Sequence, residues 1–169
     1  MIGASIGSFV LLGILSTFLF LGRGGANLAN YADMETEARS ALEYFAQDTR
    51  QASDMNWNSA TSVSLLVKGV AVTYAYDSSA ETLTRTIAAG AADTLIKGIR
   101  NFSFSGYKIT GAAVDLSDLS TAAKRDTASR ATKQVQIYLK SNRTATTVVS
   151  ATNTVLSARF ILRNKRVTT

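Results

Sequence analysis

Residues 2–21, IGASIGSFVLLGILSTFLFL, decide how the rest of the chain is read. These twenty positions carry no charged side chain, and twelve of them are Leu, Ile, Val or Phe. At about 1.5 Å of rise per residue, a helix of this length is roughly 30 Å long, the thickness of a bilayer's hydrocarbon core. Each large apolar residue favours insertion by roughly 0.3–0.6 kcal/mol, a gross drive of about 4–7 kcal/mol before Gly, Ser and Thr subtract from it. The segment can therefore span. A secretory signal peptide is the competing reading, but the apolar run exceeds the usual length of about 7–15 residues and no basic stretch precedes it.

The polar members of the span are small. Gly3 and Gly7 form a GxxxG, Ala4 and Ser8 lie beside them, and Gly13 follows; small residues let another helix backbone approach closely. These five positions are the expected packing sites of the membrane half, residues 1–22. The positive-inside rule asks for Lys or Arg on the cytoplasmic flank, yet Arg23 comes after the span and nothing basic precedes it.

A bend or melted turn is expected at Gly22, Gly24 and Gly25, since each glycine destabilises a helix by roughly 1 kcal/mol relative to Ala. Beyond it, apolar or small residues recur at Leu28, Tyr31, Ala38, Leu42, Phe45 and Ala52, with Glu35 and Thr49 in the gaps. That spacing predicts an amphipathic helical half over 23–54. Leu28, Tyr31, Leu42 and Phe45 are its expected packing residues, whereas Asp33, Glu37, Gln47, Asp48, Arg50 and Asp54 should project away. One helix cannot bury its own face, so residues 55–169 should form the layer it packs on.

That remainder reads as strands. Runs at 62–67, 70–76 and 82–87 suggest a meander, with Lys68-Gly69 at hairpin spacing. Residues 94–96 and 99–109 follow, with Phe102 and Phe104 on one face and Gly106 expected as a bulge. A mobile loop is expected over 110–131. At 133–141 the alternation places Val135, Ile137 and Leu139 inward, and a last strand is expected near 155–163. The predicted class is α+β: a long N-terminal helix packed on an antiparallel sheet domain.

Composition narrows the chemistry. The 169 residues include no His, no Cys and no Pro, which leaves no disulfide framework, no Cys/His zinc site, no catalytic thiol and no His general base. No enzymatic activity and no cofactor are expected, and no serine is expected to act as an activated nucleophile. Asp115 and Asp118 could donate oxygens to a Ca²⁺ ion, but two carboxylates fall short of a cage of about six to eight oxygens. The tripeptides at 101–103 and 142–144 match a glycosylation acceptor at a level close to chance.

Charge is segregated along the chain. Residues 23–96 hold five basic and nine acidic side chains, whereas residues 97–169 hold thirteen basic and three acidic. The basic half could meet DNA, anionic lipid or an acidic protein. Only Phe160 lies among Arg159, Arg163, Lys165 and Arg166, so base stacking lacks platforms and nucleic acid is not an expected partner. The expected complement is the acidic 33–54 helix of a neighbouring copy.

The stretch MIGASIGSFVLLGILSTFLFLGRGGANLANYADMETEARSALEYFAQDTRQAS resembles the helix of type IV pilins and type II secretion pseudopilins just downstream of their processing motif, and VLSARFILRNK resembles the C-termini of such proteins. The resemblance implies a minor pilin or pseudopilin: a single-pass protein of the bacterial inner membrane with a periplasmic C-terminal domain. Its implied partners are other pilin subunits, the inner membrane and the pilus or secretion assembly machinery. Members of that family carry a basic leader, a Gly at the cleavage site and a Glu early in the mature chain, and this sequence shows none of them. Met1 is therefore expected to lie inside the mature helix, with the processing motif in the frame upstream. From another class, the alternative is a membrane-anchored periplasmic binding domain that never polymerises.

Overall fold

The structure, a computed structural model, describes residues 2–143 and 152–166. It opens with one uninterrupted helix, α1 (Ile2–Gln51), 50 residues long and hence about 75 Å from end to end. No melted turn occurs at Gly22, Gly24 and Gly25, which are helical. With no Pro to remove a hydrogen bond, the intrahelical ladder outweighs the glycine penalty.

Five strands follow as a sequential antiparallel meander: β1 (Ala52–Ser59), β2 (Ser62–Val67), β3 (Val70–Asp77), β4 (Thr82–Ile87) and β5 (Ala92–Lys97). Lys68 and Gly69 both take positive φ, 51° and 83°, the requirement of a two-residue hairpin turn that matches strand twist. Asp77 builds the next turn, its Oδ1 accepting from the Ser79 N–H at 2.8 Å, the Ser79 hydroxyl at 2.6 Å and the Ala80 N–H at 3.2 Å.

Gly98, at φ 72°, is the single residue between β5 and β6 (Ile99–Tyr107), which begins a second sheet. That sheet has the order β6, β7 (Gln134–Arg143), β8 (Thr152–Ile161), all antiparallel. Between β6 and β7, where a mobile loop was expected over 110–131, the chain forms α2 (Ala122–Ala131). Thr121 caps it by accepting from the Lys124 N–H, and Ala128 and Ser129 bury one side of it against β1.

The helix α1 lies against β8, β5, β2 and β7. Its buried face is Met34, Ala38, Ala41, Phe45, Asp48 and Thr49. Phe45 is the hub of the core: its ring centroid lies 4.9 Å from Tyr74, 6.0 Å from Phe104 and 5.4 Å from Phe160, so one helical residue joins both sheets. Full burial of such a side chain contributes about 1.5–3 kcal/mol. Trp57 and Gly106 seal the seam with α2. The Trp57 Nε1–H donates to Thr132 Oγ1 at 3.0 Å, its backbone N–H donates to Ser129 Oγ at 2.8 Å, and a Cβ on Gly106 would stand 2.9 Å from Thr132 Oγ1.

Several expectations change. Asp48 does not project away; it is buried. The helix stops at Gln51 because Ala52 already pairs with Val67 in β1, a strand the sequence reading did not contain. Gly106 is no bulge, since it pairs in register with Val135, and its lack of a side chain serves the close approach of Trp57 and Thr132. The last strand covers 152–161 rather than 155–163.

Candidate functional site

Two parts of α1 do different work. The segment Gly7–Gly25 has a mean hydropathy of 1.5 and no residue buried within the chain. Phe9 and Phe20 are each 77% exposed, and Leu11, Leu12, Leu15, Phe18 and Leu21 are exposed with them. In water such a surface would be strongly unfavourable, since burying each large apolar side chain is worth about 1.5–3 kcal/mol. Met34 is the first buried side chain among the described residues. The helix thus leaves the domain as a bare apolar rod.

Of the packing residues expected from sequence, Gly3, Ala4 and Leu28 lie outside the residues whose side chains are described. Gly7 and Gly13 both face open space, with nothing within 4 Å of a Cβ built on either. Six residues at about 100° each set Gly13 roughly 120° around the helix from Gly7, so these two glycines do not share one face. Ser8 is exposed beside Gly7, and the Thr17 hydroxyl donates back to the Gly13 carbonyl at 2.9 Å. Tyr31 is 43% exposed, Leu42 is half-buried against the core, and Phe45 is wholly buried. Phe45 and Leu42 therefore pack α1 onto its own domain.

What locks the rod to the domain is a polar network absent from the sequence reading. Asp48 Oδ2 accepts from the Tyr74 hydroxyl at 2.6 Å and from Arg85 Nε at 2.9 Å, while Asp48 Oδ1 accepts from Arg85 Nη2 at 3.2 Å. The Arg85 guanidinium also sits over the Tyr44 ring, 5.4 Å from its centroid. Burial, reinforced by the hydrogen bond to the Asp48 carboxylate, holds the Tyr74 hydroxyl far above the ordinary tyrosine range. Hydrogen bonding to Asp48 raises Arg85 as well. A signal existed in the sequence: Arg85 shares a strand face with Leu83, and Asp48 stands three residues after Phe45 on the helix's apolar side.

Asp115 and Asp118 are engaged by their own loop. Asp115 Oδ1 accepts from the Ser117 N–H at 2.9 Å; Asp118 Oδ1 accepts from the Ser120 hydroxyl at 2.7 Å, and its Oδ2 pairs with Lys124. Hydrogen bonds from Ser117 hold Asp115 below the usual carboxylate range, and the Lys124 and Ser120 contacts do the same for Asp118. Among the described residues no third acidic side chain joins them to form a metal cluster. The sequence also contains two nucleophile patterns by letter. GASIG at 3–7 matches GxSxG but lies within a helix rather than at a strand-to-helix elbow, and SGYK at 105–108 matches SxxK along an extended chain. Three positions apart in such a chain, Ser105 and Lys108 point to opposite faces.

The fold and this surface define a class: an α+β domain carried on an N-terminal helix long and apolar enough to cross a membrane. No protein-family model matches the chain, and no curated protein matches it in sequence.

Proposed function

We propose that the chain is a structural subunit of a bacterial type IV pilus or type II secretion pseudopilus, a minor pilin or pseudopilin that assembles through its apolar helix. One observation carries this reading: the span and the spine of the domain are the same unbroken helix, pinned to the sheets by Phe45 and by the Asp48–Arg85 fork. A tethered binding domain works through a flexible linker. A filament subunit needs the domain to follow the helix rigidly, because the packing of helices in the filament core then fixes where every domain sits.

In this proposal the apolar half rests in the inner membrane with the C-terminal domain on the periplasmic side. An assembly machine then moves it into a bundle of sister helices, an exchange of small free-energy change because lipid and helix surfaces are both apolar. The role is architectural rather than catalytic.

The absence of cysteine makes a direct test possible. A Gly13→Cys variant places a lone thiol where nothing lies within 4 Å. Oxidation in native membranes should give disulfide-linked dimers or cross-links to a leader-bearing partner with its own cysteine, and the protein should be recovered in sheared extracellular filaments. Protein that stays monomeric and wholly in the membrane fraction would favour the non-polymerising anchored domain instead.

A further inference from the structure

Among the described residues, the outer face of the three-stranded sheet is uncovered, with Ser103, Tyr138, Ser157 and Arg159 exposed. Along β6, β7 and β8 side chains alternate, so Phe104, Ile137 and Phe160 turn to the core while the positions between turn to solvent. The registers set Tyr138 between Ser103 and Ser157 and, one row on, Gln136 between Ser105 and Arg159. Tyr107 and the exposed Ile161 stand in one flanking row, Lys140 and the exposed Val155 in the other. No Asp or Glu occurs within 101–107, 134–140 or 155–161.

This face is also partly organised in advance. The Arg159 guanidinium lies over the Tyr107 ring, 3.6 Å from its centroid. Its Nε and Nη2 donate to Gln136 Oε1 at 3.2 and 2.9 Å, and Gln136 Nε2 donates to Ser157 Oγ at 2.8 Å. The remaining guanidinium nitrogen, Nη1, has no partner among the described residues. Tyr138 is 37% exposed, and its hydroxyl likewise has no partner there.

We infer that this sheet face docks an acidic polysaccharide. Its dimensions select a thin chain: four rows at about 6.8 Å and three strands about 4.8 Å apart give roughly 20 by 10 Å, against about 800 Å² per partner in a stable protein pair. Its donors and acceptors select sugar. Hydroxyl groups both give and take hydrogen bonds, as do the Gln and Ser side chains here, whereas a phosphodiester backbone only accepts. A nucleic-acid strand would want successive ring platforms, and Arg159 already covers the ring of Tyr107 while Tyr138 offers the open one. Its charge selects acid, because among the described residues Lys140 and Arg159 meet no carboxylate on the face, and the free Nη1 of Arg159 can give a uronate carboxylate a charge-assisted hydrogen bond. These groups come from three strands, and only the pairing registers bring them together. The inference does not depend on filament assembly.

The experiment uses the full chain in non-ionic detergent micelles, with polygalacturonate, neutral dextran and a poly(dT) oligonucleotide as probes. Polygalacturonate should bind, weaken as salt rises, and exceed dextran by about tenfold or more. Arg159→Gln combined with Lys140→Gln should weaken it about tenfold, the size of one charge-assisted hydrogen bond. Tyr138→Ala should weaken it too while leaving thermal stability nearly unchanged, and Lys68→Gln in the distant β2–β3 turn should have no effect. Failure to bind polygalacturonate, binding that ignores Arg159, Lys140 and Tyr138, equal binding of dextran, or tighter binding of poly(dT) would each overturn the inference. So would a dimer that buries this face.

Discussion

Asp48 and Arg85, 37 residues apart in sequence, close a two-bond fork that ties the long helix to the fourth strand of the larger sheet. The Asp48 side chain is 7% exposed and that of Arg85 18%. Removing the cation leaves a buried carboxylate with, among the described residues, only the Tyr74 hydroxyl as donor. Arg85→Met should therefore destabilise the domain by about 3 kcal/mol, the lower end of the range for breaking a buried pair, because Arg85 keeps some access to solvent. Replacing both partners, Asp48→Leu with Arg85→Met, should recover most of that loss. Urea unfolding of the two single variants and the double variant measures the coupling; a single-variant effect under about 1 kcal/mol would remove the fork from the account of how the helix is held.

Lys165 supplies a pH dependence. Its side chain is 3% exposed, with Nζ donating to the Ser129 carbonyl and 3.6 Å from Asp54 Oδ1. Burial pushes the ammonium below its ordinary 10.5; the Asp54 and Asp126 charges oppose that shift and the Lys133 charge adds to it. Between the lowered value and about 10.5 the unfolded chain binds more protons, so this contribution to stability rises with pH and is lost as pH falls through the folded value. The Tm of the parent minus that of Lys165→Met should thus grow as pH climbs from neutral toward 10.5. Taking the difference cancels the opposite trend of Tyr74, whose raised pKa lowers stability above about pH 10. At neutral pH the variant should lie within about 1 kcal/mol of the parent, since the Ser129 carbonyl still accepts from the Thr132 N–H at 3.2 Å. A flat difference across the range would place the Lys165 ammonium in a solvated site.

Legibility followed periodicity. Strands at 62–67, 70–76 and 82–87 are readable because Val, Leu, Tyr and Thr alternate and Lys68-Gly69 is a hairpin turn by chemistry, and β3 runs one residue further, to Asp77. β1 is not, because Ala52–Ser59 contains one Asp and two Asn, residues depleted in strands. Its register shift between Ala52 and Asp54 also breaks the period of two. α2 was hidden for another reason: with two Ala and Lys124-Arg125-Asp126 at its start, it has little apolar stripe to detect, and Trp57 holds it from the other side. On the helix, the charge of Asp48 alone points it to solvent. Its partner lies on a strand, and single-sequence spacing carries no information about that pairing. The exposed apolar half was legible because hydropathy alone defines it.

Gly106 tests the seam between α2 and the two sheets. A methyl group there would sit 2.9 Å from Thr132 Oγ1 and 3.1 Å from the Trp57 ring. Neither neighbour is the free end of a flexible chain, since Thr132 Oγ1 donates to the Ala128 carbonyl at 2.7 Å and accepts from Trp57. Gly106→Ala should destabilise by about 1–3 kcal/mol. Trp57 is the only tryptophan, so its emission reports the site directly and should shift to the red as the indole moves toward water. An unchanged spectrum at unchanged stability would mean that the seam has slack.

The division of labour along α1 makes the last prediction. Nothing in Gly7–Gly25 is buried within the chain, and among the residues whose side chains are described burial begins at Met34, so the domain draws no packing energy from Gly7–Gly25. Deleting residues 1–25 should give a water-soluble, folded domain whose unfolding free energy is within about 0.5 kcal/mol of the full chain's in micelles. A short stretch of helix before Met34 would remain to avoid fraying at the first buried turn. The converse substitution acts on the membrane alone: Leu15→Arg, at the middle of the span, should oppose insertion by about 2.5–3.5 kcal/mol and move protein from the carbonate-resistant pellet to the supernatant. The domain's own unfolding curve should not change. If truncation instead unfolded the domain, the helix could not be two independent halves, and the proposed exchange of lipid for helix contacts would have to disturb the core as well.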